Sequence, residues 1–298
     1  MNVVVVGGSG FIGRNIIDLL NKKGFYTISY DVSTGNKNAN ESHLKDVRDY
    51  EALEKATQNV DYVFNLAATT SPPEFESLDS QGYEVNVMGM YNVLKSAAKN
   101  HVKRVVFASS SAVYGGLTQK AREEMNLYNH SNLYPATKII GEVTSKAFIN
   151  SFGIDAVFLR YFNTYGTGEN SKGAYASVIH KFIEDLNANK KPTIFGNGKQ
   201  SRDFIYVKDN ARASILAMEK GKNGEAYNIG TGITTDFNKI FEIVREEMGK
   251  EIDPDYVKNP FNSYQMFTLA DIEKIRKDTG FIPEYDLRRG IKEMVNKI

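Results

Sequence analysis

The chain opens with Met1-Asn2-Val3-Val4-Val5-Val6-Gly7-Gly8-Ser9-Gly10-Phe11-Ile12-Gly13, a β-branched apolar run that leads directly into glycines and then into a helical pattern. A strand, a glycine turn and a helix in this order form the context that a dinucleotide-binding fingerprint requires. Gly7, Gly10 and Gly13 allow a tight turn and a close approach to a pyrophosphate, and a helix beginning near Phe11 and Ile12 offers free N–H groups. The stretch therefore predicts an α/β fold with a dinucleotide site at its start.

The second predicted strand supplies another part of this site. Residues 26–30 should form a strand that ends at Asp31, roughly 20 residues after the glycines, where a carboxylate can accept both ribose hydroxyls of an adenosine. The same carboxylate would repel a 2′-phosphate. We therefore expect NAD rather than NADP as the cofactor.

A tyrosine and a lysine one helical turn apart carry the candidate chemistry. In Tyr134-Pro135-Ala136-Thr137-Lys138 the spacing puts the phenol and the ammonium on one helical face. An ammonium near a phenol lowers a pKa that is normally about 10, which makes a tyrosine usable as an acid or base. This spacing is common, and a packed tyrosine beside a solvated lysine is its ordinary explanation. The dinucleotide fingerprint favours the catalytic explanation here.

Short apolar runs alternate with amphipathic ones along the whole chain, without an internal repeat or a flexible linker. This alternation predicts a doubly wound parallel sheet wrapped by helices. Further predicted elements are strands over residues 44–49, 60–66 and 104–108 and a helix over residues 83–100. Ligands of such sheets bind beyond the carboxyl ends of the strands. The glycine turn, Asp31, residues 65–68 and the serines 109–111 should therefore meet at one edge.

Asp46 lies in the predicted strand over residues 44–49, just before a helix that should start near Tyr50. In one interpretation its carboxylate accepts a hydrogen bond from an adenine amino group. In the other it caps the helix, a position where Asp is favoured. The sequence leaves both interpretations open.

Composition excludes several classes of protein. The 298 residues are 41% hydrophobic, which suits one α/β enzyme with a cofactor lobe and a substrate lobe. Cysteine is absent, so we expect no disulfide or thiolate nucleophile, and a cytoplasmic location. A net charge of +1 gives no electrostatic case for nucleic acid, and no apolar stretch approaches the ~18 residues of a membrane span. The four histidines lack metal-ligand spacing, so no metal site is expected.

Eight motifs, taken in order, resemble the extended short-chain dehydrogenase/reductases of the nucleotide-sugar epimerase/dehydratase family, over essentially the whole chain. They are Gly7-x-x-Gly10-x-x-Gly13, Asp46-Val47, Asn65-Leu66-Ala67-Ala68, Asn86-x-x-Gly89-x-x-Asn92, Ser109-Ser110-Ser111-Ala112-Val113-Tyr114-Gly115, Tyr134-x-x-x-Lys138, Arg160-Tyr161-Phe162-Asn163 and Arg202-Asp203-Phe204-Ile205-Tyr206-Val207. The resemblance implies a Rossmann domain over residues 1–165 and a smaller nucleotide-sugar lobe over 166–298. Parts of residues 203–232 should pack back on the first domain.

The resemblance also implies catalytic roles. Tyr134 would take a proton from a sugar hydroxyl while the nicotinamide of NAD accepts a hydride from the same carbon. Lys138 would bind the nicotinamide ribose and lower the pKa of Tyr134. Ser110 would hydrogen-bond the reacting oxygen and contact the substrate, with the adjacent Ser111 as the alternative.

Binding residues follow from the same resemblance. Besides the glycines, Phe11, Ile12, Asp31, Tyr134 and Lys138, the cofactor site would include Asp46, Val47, Leu66, Ala67, Ala68, Asn86, Ser109 and Tyr161. The nucleotide-sugar site would include Ser110, Ser111, Tyr134, Asn163, Ser177, Val178, Thr193, Phe195, Arg202 and Thr268.

Arg202 resembles the arginine that meets the diphosphate, a ligand that suits the guanidinium fork. Alone, Arg202 beside Asp203 would more often be a surface ion pair. Many relatives carry a second arginine before the segment that matches Ala270-Asp271, but here residues 259–265 contain none. Lys258 and Tyr264 are the candidate substitutes for that contact.

The residues after the catalytic serine separate reaction types within the family. Dehydratases typically place an Asp-Glu pair there, whereas this chain has Ser111-Ala112, neither of which can shuttle a proton. We therefore expect oxidation, rotation and re-reduction at one carbon, with inversion of carbon 4 through a transient 4-keto sugar. Residues 114–118 and 264–268 also resemble the heptose 6-epimerases, which leaves an ADP-heptose-type 6-epimerase as an alternative. A 4,6-dehydratase is the other alternative within the family.

A non-catalytic dinucleotide sensor is the alternative from another class. Such sensors generally lose the tyrosine or the lysine, and this chain keeps both Tyr134 and Lys138.

Thr268 matches a position where, in related hexose epimerases, a bulky residue is associated with excluding an N-acetyl group from the sugar site. Because Thr268 is small, we expect a UDP-linked hexose and its 2-acetamido form both to be substrates.

Two predicted helices have wider apolar faces than a one-sided helix needs. The helix over residues 83–100 carries Val87, Tyr91 and Leu94, and the helix after Tyr134 carries Val143 and Phe148. The resemblance implies that both helices pair across a two-fold axis. We expect a homodimer formed through a four-helix bundle.

Overall fold

A seven-stranded sheet forms the centre of the protein in the computed structural model, which describes residues 1–33, 35–70, 75, 80–127, 133–260 and 264–298. The strands are β1 (Asn2–Val6), β2 (Tyr26–Asp31), β3 (Glu41–Leu44), β4 (Tyr62–Asn65), β5 (Arg104–Ser110), β6 (Ala156–Tyr161), β7 (Asn163–Tyr165), β8 (Thr193–Phe195), β9 (Ser201–Arg202), β10 (Phe204–Tyr206), β11 (Ala226–Ile229), β12 (Thr235–Asp236) and β13 (Asp255–Val257). The central sheet has the order β11-β6-β5-β4-β1-β2-β3, and every pair in it is parallel. The predicted doubly wound α/β fold is confirmed.

Helices cover both faces of this sheet and fill the second lobe. They are α1 (Phe11–Lys22), α2 (Tyr50–Ala56), α3 (Gln81–Tyr83), α4 (Gly89–Lys99), α5 (Leu133–Phe152), α6 (Val178–Asn187), α7 (Val207–Lys220), α8 (Phe237–Met248), α9 (Glu273–Thr279) and α10 (Leu287–Val295). Within the described residues, no helix is long and apolar enough to cross a membrane, and no group of acidic or histidine side chains could hold a metal ion.

The opening valines show why β1 lies at the centre. Val3 and Val5 are fully buried against α1 and α7, while Val4 and Val6 are buried on the other face against α2 and α4. A strand buried on both faces reads as a continuous apolar run rather than an alternating one. This arrangement places the glycine turn at the carboxyl edge of the sheet.

Two predicted elements differ from the structure. The strand predicted over residues 44–49 lies instead at β3, and the chain then turns. In this turn the Tyr30 hydroxyl donates to the Asp46 carbonyl at 2.9 Å.

Asp49 caps α2 by accepting from the Ala52 N–H at 3.1 Å, so the capping interpretation of Asp46 is wrong. The helix predicted over residues 83–100 contains a π-helical turn, Glu84–Met88, between α3 and α4.

The second lobe has its own core. Helices α6, α8 and α10 pack together through Ile179, Phe182, Ile240, Phe241 and Ile291. Small sheets pair β8 with β13 and β9 with β12. From residues 203–232, β11 joins the central sheet beside β6, and α7 packs on α1. The division at residue 165 remains a prediction.

Candidate active site

The glycine turn lies against the end of β4. Gly7 has φ +83°, and a Cβ there would lie 2.7 Å from the Ala67 nitrogen. At Gly13, a Cβ would lie 2.2 Å from the Gly7 carbonyl oxygen. Only glycine permits both close approaches. The N-terminus of α1 and the backbone of residues 66–68 therefore border one space.

Asp31 ties this turn to the end of β2. One carboxylate oxygen accepts the Ser9 N–H at 2.9 Å, and the other accepts the N–H and hydroxyl of Ser33, each at 2.9 Å. An ionised carboxylate has about four acceptor positions, so Asp31 keeps acceptor capacity for a ribose. Its placement is the one predicted from the sequence.

A cleft of about 440 Å³ connects these groups. Its lining includes these predicted cofactor residues: Gly7, Gly10, Asp31, Asp46, Val47, Leu66, Ala67 and Ala68. Thr69 and Val85 also line it and were not predicted. Small residues on the floor, a helix N-terminus and an acceptor for ribose hydroxyls fit the chemistry of NAD.

Phe11 and Ile12 contribute differently from the prediction. The Phe11 ring is buried with the Lys172 ammonium 4.5 Å from its centroid, and Ile12 packs on the apolar core between α1 and α7. Both side chains therefore contribute to packing, and the backbone of α1 is the part available to a cofactor.

Other predicted cofactor residues have side chains committed to the protein itself. Asp46 forms a two-point ion pair with Arg48, at 2.7 and 3.1 Å, and these hydrogen bonds lower the pKa of the Asp46 carboxyl. The Tyr161 hydroxyl shares a hydrogen bond of 2.9 Å with Ser214 in the core. An adenine contact to Asp46 would have to share its carboxylate with Arg48.

Asn86 joins three segments from inside the π-helical turn. Its amide oxygen accepts the Thr69 N–H at 2.8 Å, and its amide nitrogen donates to the Thr69 carbonyl and the Thr137 hydroxyl, each at 3.0 Å. These bonds link the loop after β4 to the helix that carries Tyr134. Asn86 thus positions the site rather than presenting a free side chain to it.

The predicted catalytic residues come together at the end of β5. The Ser110 and Tyr134 side chains are hydrogen-bonded. Lys138 is buried, donates to the Ala108 carbonyl at 2.8 Å, and lies 5.8 Å from the centroid of the Tyr134 ring. Ser111 is buried at the start of the 3-10 turn Ser111–Tyr114. The serine that meets Tyr134 is therefore Ser110.

The pKa values in this trio differ from the prediction. Burial raises the pKa of Tyr134, and the hydrogen bond from Ser110 opposes that rise. Burial lowers the pKa of Lys138 to about 7. The predicted lowering of the Tyr134 pKa is wrong for this structure, because loss of hydration disfavours the charged form of both groups. Near neutral pH, Tyr134 is therefore uncharged, and Lys138 titrates between its charged and uncharged forms.

Arg202 is a buried cation in the second lobe. It is only 7% exposed, donates to the carbonyls of Ser201 and Gln265, and lies between the rings of Phe237 and Tyr264, 5.6 and 5.5 Å from their centroids. Among the described residues, no carboxylate pairs with it. Burial lowers the pKa of Arg202, a sign of an incompletely compensated charge.

Asp203 does not form a surface ion pair with Arg202, which was the other explanation of these two neighbouring residues. It is fully buried, and its carboxylate accepts N–H groups of Thr231, Gly232 and Ala270 at 2.8 to 3.0 Å. Asp203 therefore fixes loops around Arg202 and leaves that guanidinium for another anion.

Asn163 and Thr268 lie beneath this region. The Thr268 hydroxyl accepts the Asn163 amide at 2.9 Å and the Asp203 N–H at 3.0 Å, and Thr268 is fully buried. This placement argues against Thr268 as the residue that sets the size of the sugar site. The side chain is enclosed by protein on all sides.

The remaining predicted substrate residues lie on α6 and β8. Ser177 caps α6, and its hydroxyl donates to Glu169 at 2.8 Å, with Val178 following as the first helical residue. Thr193 is exposed at the start of β8, and the Phe195 ring meets the Tyr264 ring edge-on at 6.3 Å. The Tyr264 ring therefore connects Phe195 to the buried Arg202.

Sequence reasoning missed a buried polar network behind the serines at the end of β5. The Ser109 hydroxyl donates to Glu142 at 2.6 Å, and Arg160 pairs with Glu142 at 2.7 and 3.0 Å. Arg160 also donates to the Tyr114 hydroxyl at 2.9 Å. The sequence did contain a signal for this network. Arg160 interrupts an apolar strand, and Glu142 lies one helical turn after Lys138. Because a buried charge needs a partner of opposite charge, these two residues could have been predicted to pair.

Comparison with known proteins adds to this geometry. The model of the NAD dependent epimerase/dehydratase family matches residues 3–230. A Methanocaldococcus jannaschii protein named as a candidate UDP-glucose 4-epimerase is 37% identical over 99% of this chain and 97% of its own length.

Two solved structures are similar over nearly the full length. The UDP-N-acetylglucosamine 4-epimerase from Methanobrevibacter ruminantium, solved with UDP-N-acetylmuramic acid, is 34% identical, with a TM-score of 0.91 over 100% of this chain and 99% of the other. The UDP-glucose 4-epimerase from Thermotoga maritima, solved with UDP-glucose, is 31% identical, with a TM-score of 0.92 over 99% and 98%.

Proposed function

The chain belongs to the NAD dependent epimerase/dehydratase family, and we propose that it inverts carbon 4 of a UDP-linked hexose and of its 2-acetamido form. It is an NAD-dependent nucleotide-sugar epimerase. The observation that carries the proposal is the hydrogen bond between Ser110 and Tyr134, beside buried Lys138, at the sheet edge where the dinucleotide cleft lies. This arrangement brings an acid/base group and a cofactor site to one edge.

NAD would be held by the glycine turn, Asp31 and the backbone of residues 66–68, and it would accept a hydride from carbon 4 and return it to the opposite face. When the Tyr134–Lys138 pair has lost one proton, the Tyr134 phenolate takes the proton from the carbon 4 hydroxyl and later gives it back. Ser110 hydrogen-bonds Tyr134 and would hold that side chain against the reacting oxygen of the substrate. The substrate passes through a 4-keto sugar that rotates before it is reduced.

Lys138 and Tyr134 titrate as a coupled pair, and the proton that the pair loses determines whether it can act as a base in this step. A neutral lysine beside a neutral tyrosine holds as many protons as an ammonium beside a phenolate. The pair therefore reaches its base-competent state by losing a single proton, and the Lys138 pKa of about 7 places that loss near neutrality. This explains why burial of both groups is compatible with acid/base work.

Elimination of water is disfavoured at this site. Dehydration needs a further acid and base beside the catalytic serine, and the chain offers Ser111, which is buried, and Ala112, which has no ionisable group. A sugar oxidised here has no group positioned after Ser110 to remove a second proton. Re-reduction at the same carbon is the outcome that the residues support.

The buried guanidinium of Arg202 supports an anionic substrate in the second lobe. A diphosphate would supply the negative charge that the described residues do not, and a guanidinium matches phosphate oxygens in geometry. Phe195, on β8, contacts the Tyr264 ring that lies over Arg202, and the resemblance puts the nucleotide base at this strand. A UDP-linked sugar would thus extend from Phe195 past Arg202 to Tyr134.

The enzyme would work as a homodimer in the cytoplasm. Large apolar side chains stay exposed on the two helices expected to form the interface: Tyr83, Met88, Tyr91, Val143 and Phe152. Pairing these helices as a four-helix bundle would cover them. The absence of cysteine is consistent with a reducing compartment.

Conversion of UDP-glucose and UDP-N-acetylglucosamine, followed by NMR of the sugar protons, tests the proposal. We expect inversion at carbon 4 of both, and Tyr134→Phe should lower turnover by about 10² to 10⁴-fold while NAD stays bound, because only the proton-transferring oxygen is lost. Tyr26→Phe, an exposed tyrosine on β2, is the matched control. More than a tenth of wild-type turnover in Tyr134→Phe, or inversion of a heptose at carbon 6 in preference, would overturn the assignment.

A further inference from the structure

A buried glutamate organises the segment that joins β7 to α6. Glu169 is fully buried, and its carboxylate accepts hydrogen bonds from the Ser177 N–H at 2.7 Å and from the Ser177 hydroxyl at 2.8 Å. The same carboxylate accepts the Gly166 N–H at 3.4 Å. Glu169 therefore holds the start of this segment against its end.

Lys172 supplies the counter-charge and ties the segment to its surroundings. Its ammonium pairs with Glu169 at 3.0 Å and donates to the Thr164 carbonyl on β7 at 3.3 Å. It also lies 4.5 Å from the centroid of the Phe11 ring, at the start of α1. A buried carboxylate is stable when it is paired and hydrogen-bonded, and Glu169 has both kinds of partner. The pair thus fastens the segment to β7 and to the helix whose N-terminus borders the dinucleotide cleft.

This segment connects two places that the family resemblance assigns to the nucleotide sugar. Asn163 begins β7, and Ser177 and Val178 lie at the start of α6. The Ser177 hydroxyl also accepts the His180 N–H at 3.3 Å. The Glu169 carboxylate and the first turn of α6 are therefore one hydrogen-bonded unit, and loss of Glu169 would release the start of α6 from β7.

We infer that Glu169 and Lys172 are positioning residues for substrate binding, which hold the start of α6 where it can meet the nucleotide sugar. They act through Ser177 and the backbone of α6 and do not touch the substrate themselves. Because the segment is ordered before the ligand arrives, binding is not opposed by the entropy of ordering it. The inference rests on the proposed function, since it assumes a nucleotide sugar in this lobe.

Calorimetric titration of the full-length, NAD-loaded protein with UDP, together with steady-state kinetics on UDP-glucose, tests this inference. In Glu169→Ala we expect the Kd for UDP and the KM to rise about tenfold, the effect of having to order about one backbone residue on binding. The value of kcat should stay unchanged, because Ser110, Tyr134 and Lys138 lie on β5 and α5. This split between KM and kcat separates positioning of the substrate from a part in the chemistry.

Two further variants separate positioning from a general loss of structure. Glu169→Gln keeps a side-chain oxygen for the Ser177 N–H, so it should restore most of the UDP affinity that Glu169→Ala loses. Lys172→Met removes an ammonium from a partly exposed side chain and leaves the bonds between Glu169 and Ser177 in place. It should raise the Kd for UDP less than Glu169→Ala does, and it tests the inference by itself if Glu169→Ala does not fold.

Glu242→Ala is the matched control. Glu242 pairs with Lys239 at 3.0 Å with the same spacing along the chain, on α8 of the same lobe, but both side chains are half-exposed. This variant should bind UDP as wild type does. Wild-type affinity for UDP in both Glu169→Ala and Lys172→Met, or a fall in kcat at an unchanged Kd, would overturn the inference and leave the proposed function intact. Failure of the wild-type protein to bind UDP would overturn both.

Discussion

At the residue scale, the spacing of Tyr134 and Lys138 was sufficient to predict that their side chains lie close together, but it could not give the sign of the Tyr134 pKa shift. Burial raises the pKa of Tyr134 and lowers that of Lys138 to about 7. Desolvation depends on how completely the surrounding elements enclose each group, which no local pattern records. The same limit applies to Thr268, whose size is visible in the sequence but whose complete burial is not.

These pKa shifts predict the pH dependence of turnover. The base-competent pair has one proton fewer than the fully protonated pair, so kcat should rise with pH through about 7 and then level off. In Lys138→Met the tyrosine titrates alone, and burial holds its pKa above its usual value of about 10. The rise in kcat should therefore move to alkaline pH in this variant. Rates at saturating substrate would check this, and an unmoved rise in Lys138→Met would contradict it.

At the element scale, strands with uninterrupted apolar runs were predicted correctly from the sequence. Elements that depend on contacts between residues far apart in the chain were predicted wrongly or missed. The glycine turn, β2 and the serines at the end of β5 lie where predicted. β3 was misplaced because the turn after it depends on the Tyr30 hydroxyl and the Asp46 backbone, which are far apart in sequence. The π-helical turn was missed because it depends on bonds from Asn86 to Thr69 and Thr137. Such turns are frequent at functional sites.

The Glu142–Arg160 pair joins α5 to β6 and gives a prediction for stability. Its two side chains are 6% and 5% exposed. Glu142→Gln would leave the Arg160 charge buried without a counter-charge, so we expect a loss of about 3 to 5 kcal/mol in the free energy of unfolding. Replacing both residues, Glu142→Gln with Arg160→Met, should cost less than Glu142→Gln alone. Urea denaturation would measure each variant.

Asp255→Asn provides the control for this prediction. Asp255 pairs with Lys191 at 3.7 Å on the surface, with both side chains more than half exposed. Exposed pairs contribute little, so this change should leave the free energy of unfolding within experimental error of wild type. An equal, small effect of Glu142→Gln would show that the buried pair does not hold the two elements together.

At the scale of the whole molecule, the exposed apolar side chains of α3 to α5 and the π-helical turn predict the state of assembly. Val143 is 61% exposed on α5, in the middle of the proposed interface. Val143→Glu would place a charge there, and we expect it to convert dimers to monomers in sedimentation experiments at micromolar concentration. Ile282→Glu, at an exposed isoleucine outside these helices, should leave the dimer unchanged. A wild-type protein that sediments as a monomer would refute the prediction.

The position of β11 has a consequence for biosynthesis. This strand closes the sheet beside β6, yet about 60 residues that include much of the second lobe separate the two in the chain. During translation, β6 leaves the ribosome with an unpaired edge, and that edge stays open until residues 226–229 follow. Open strand edges are templates for incorrect pairing. The nascent chain is thus exposed to incorrect pairing in this interval, and a ribosome stalled within it would hold the protein in that state.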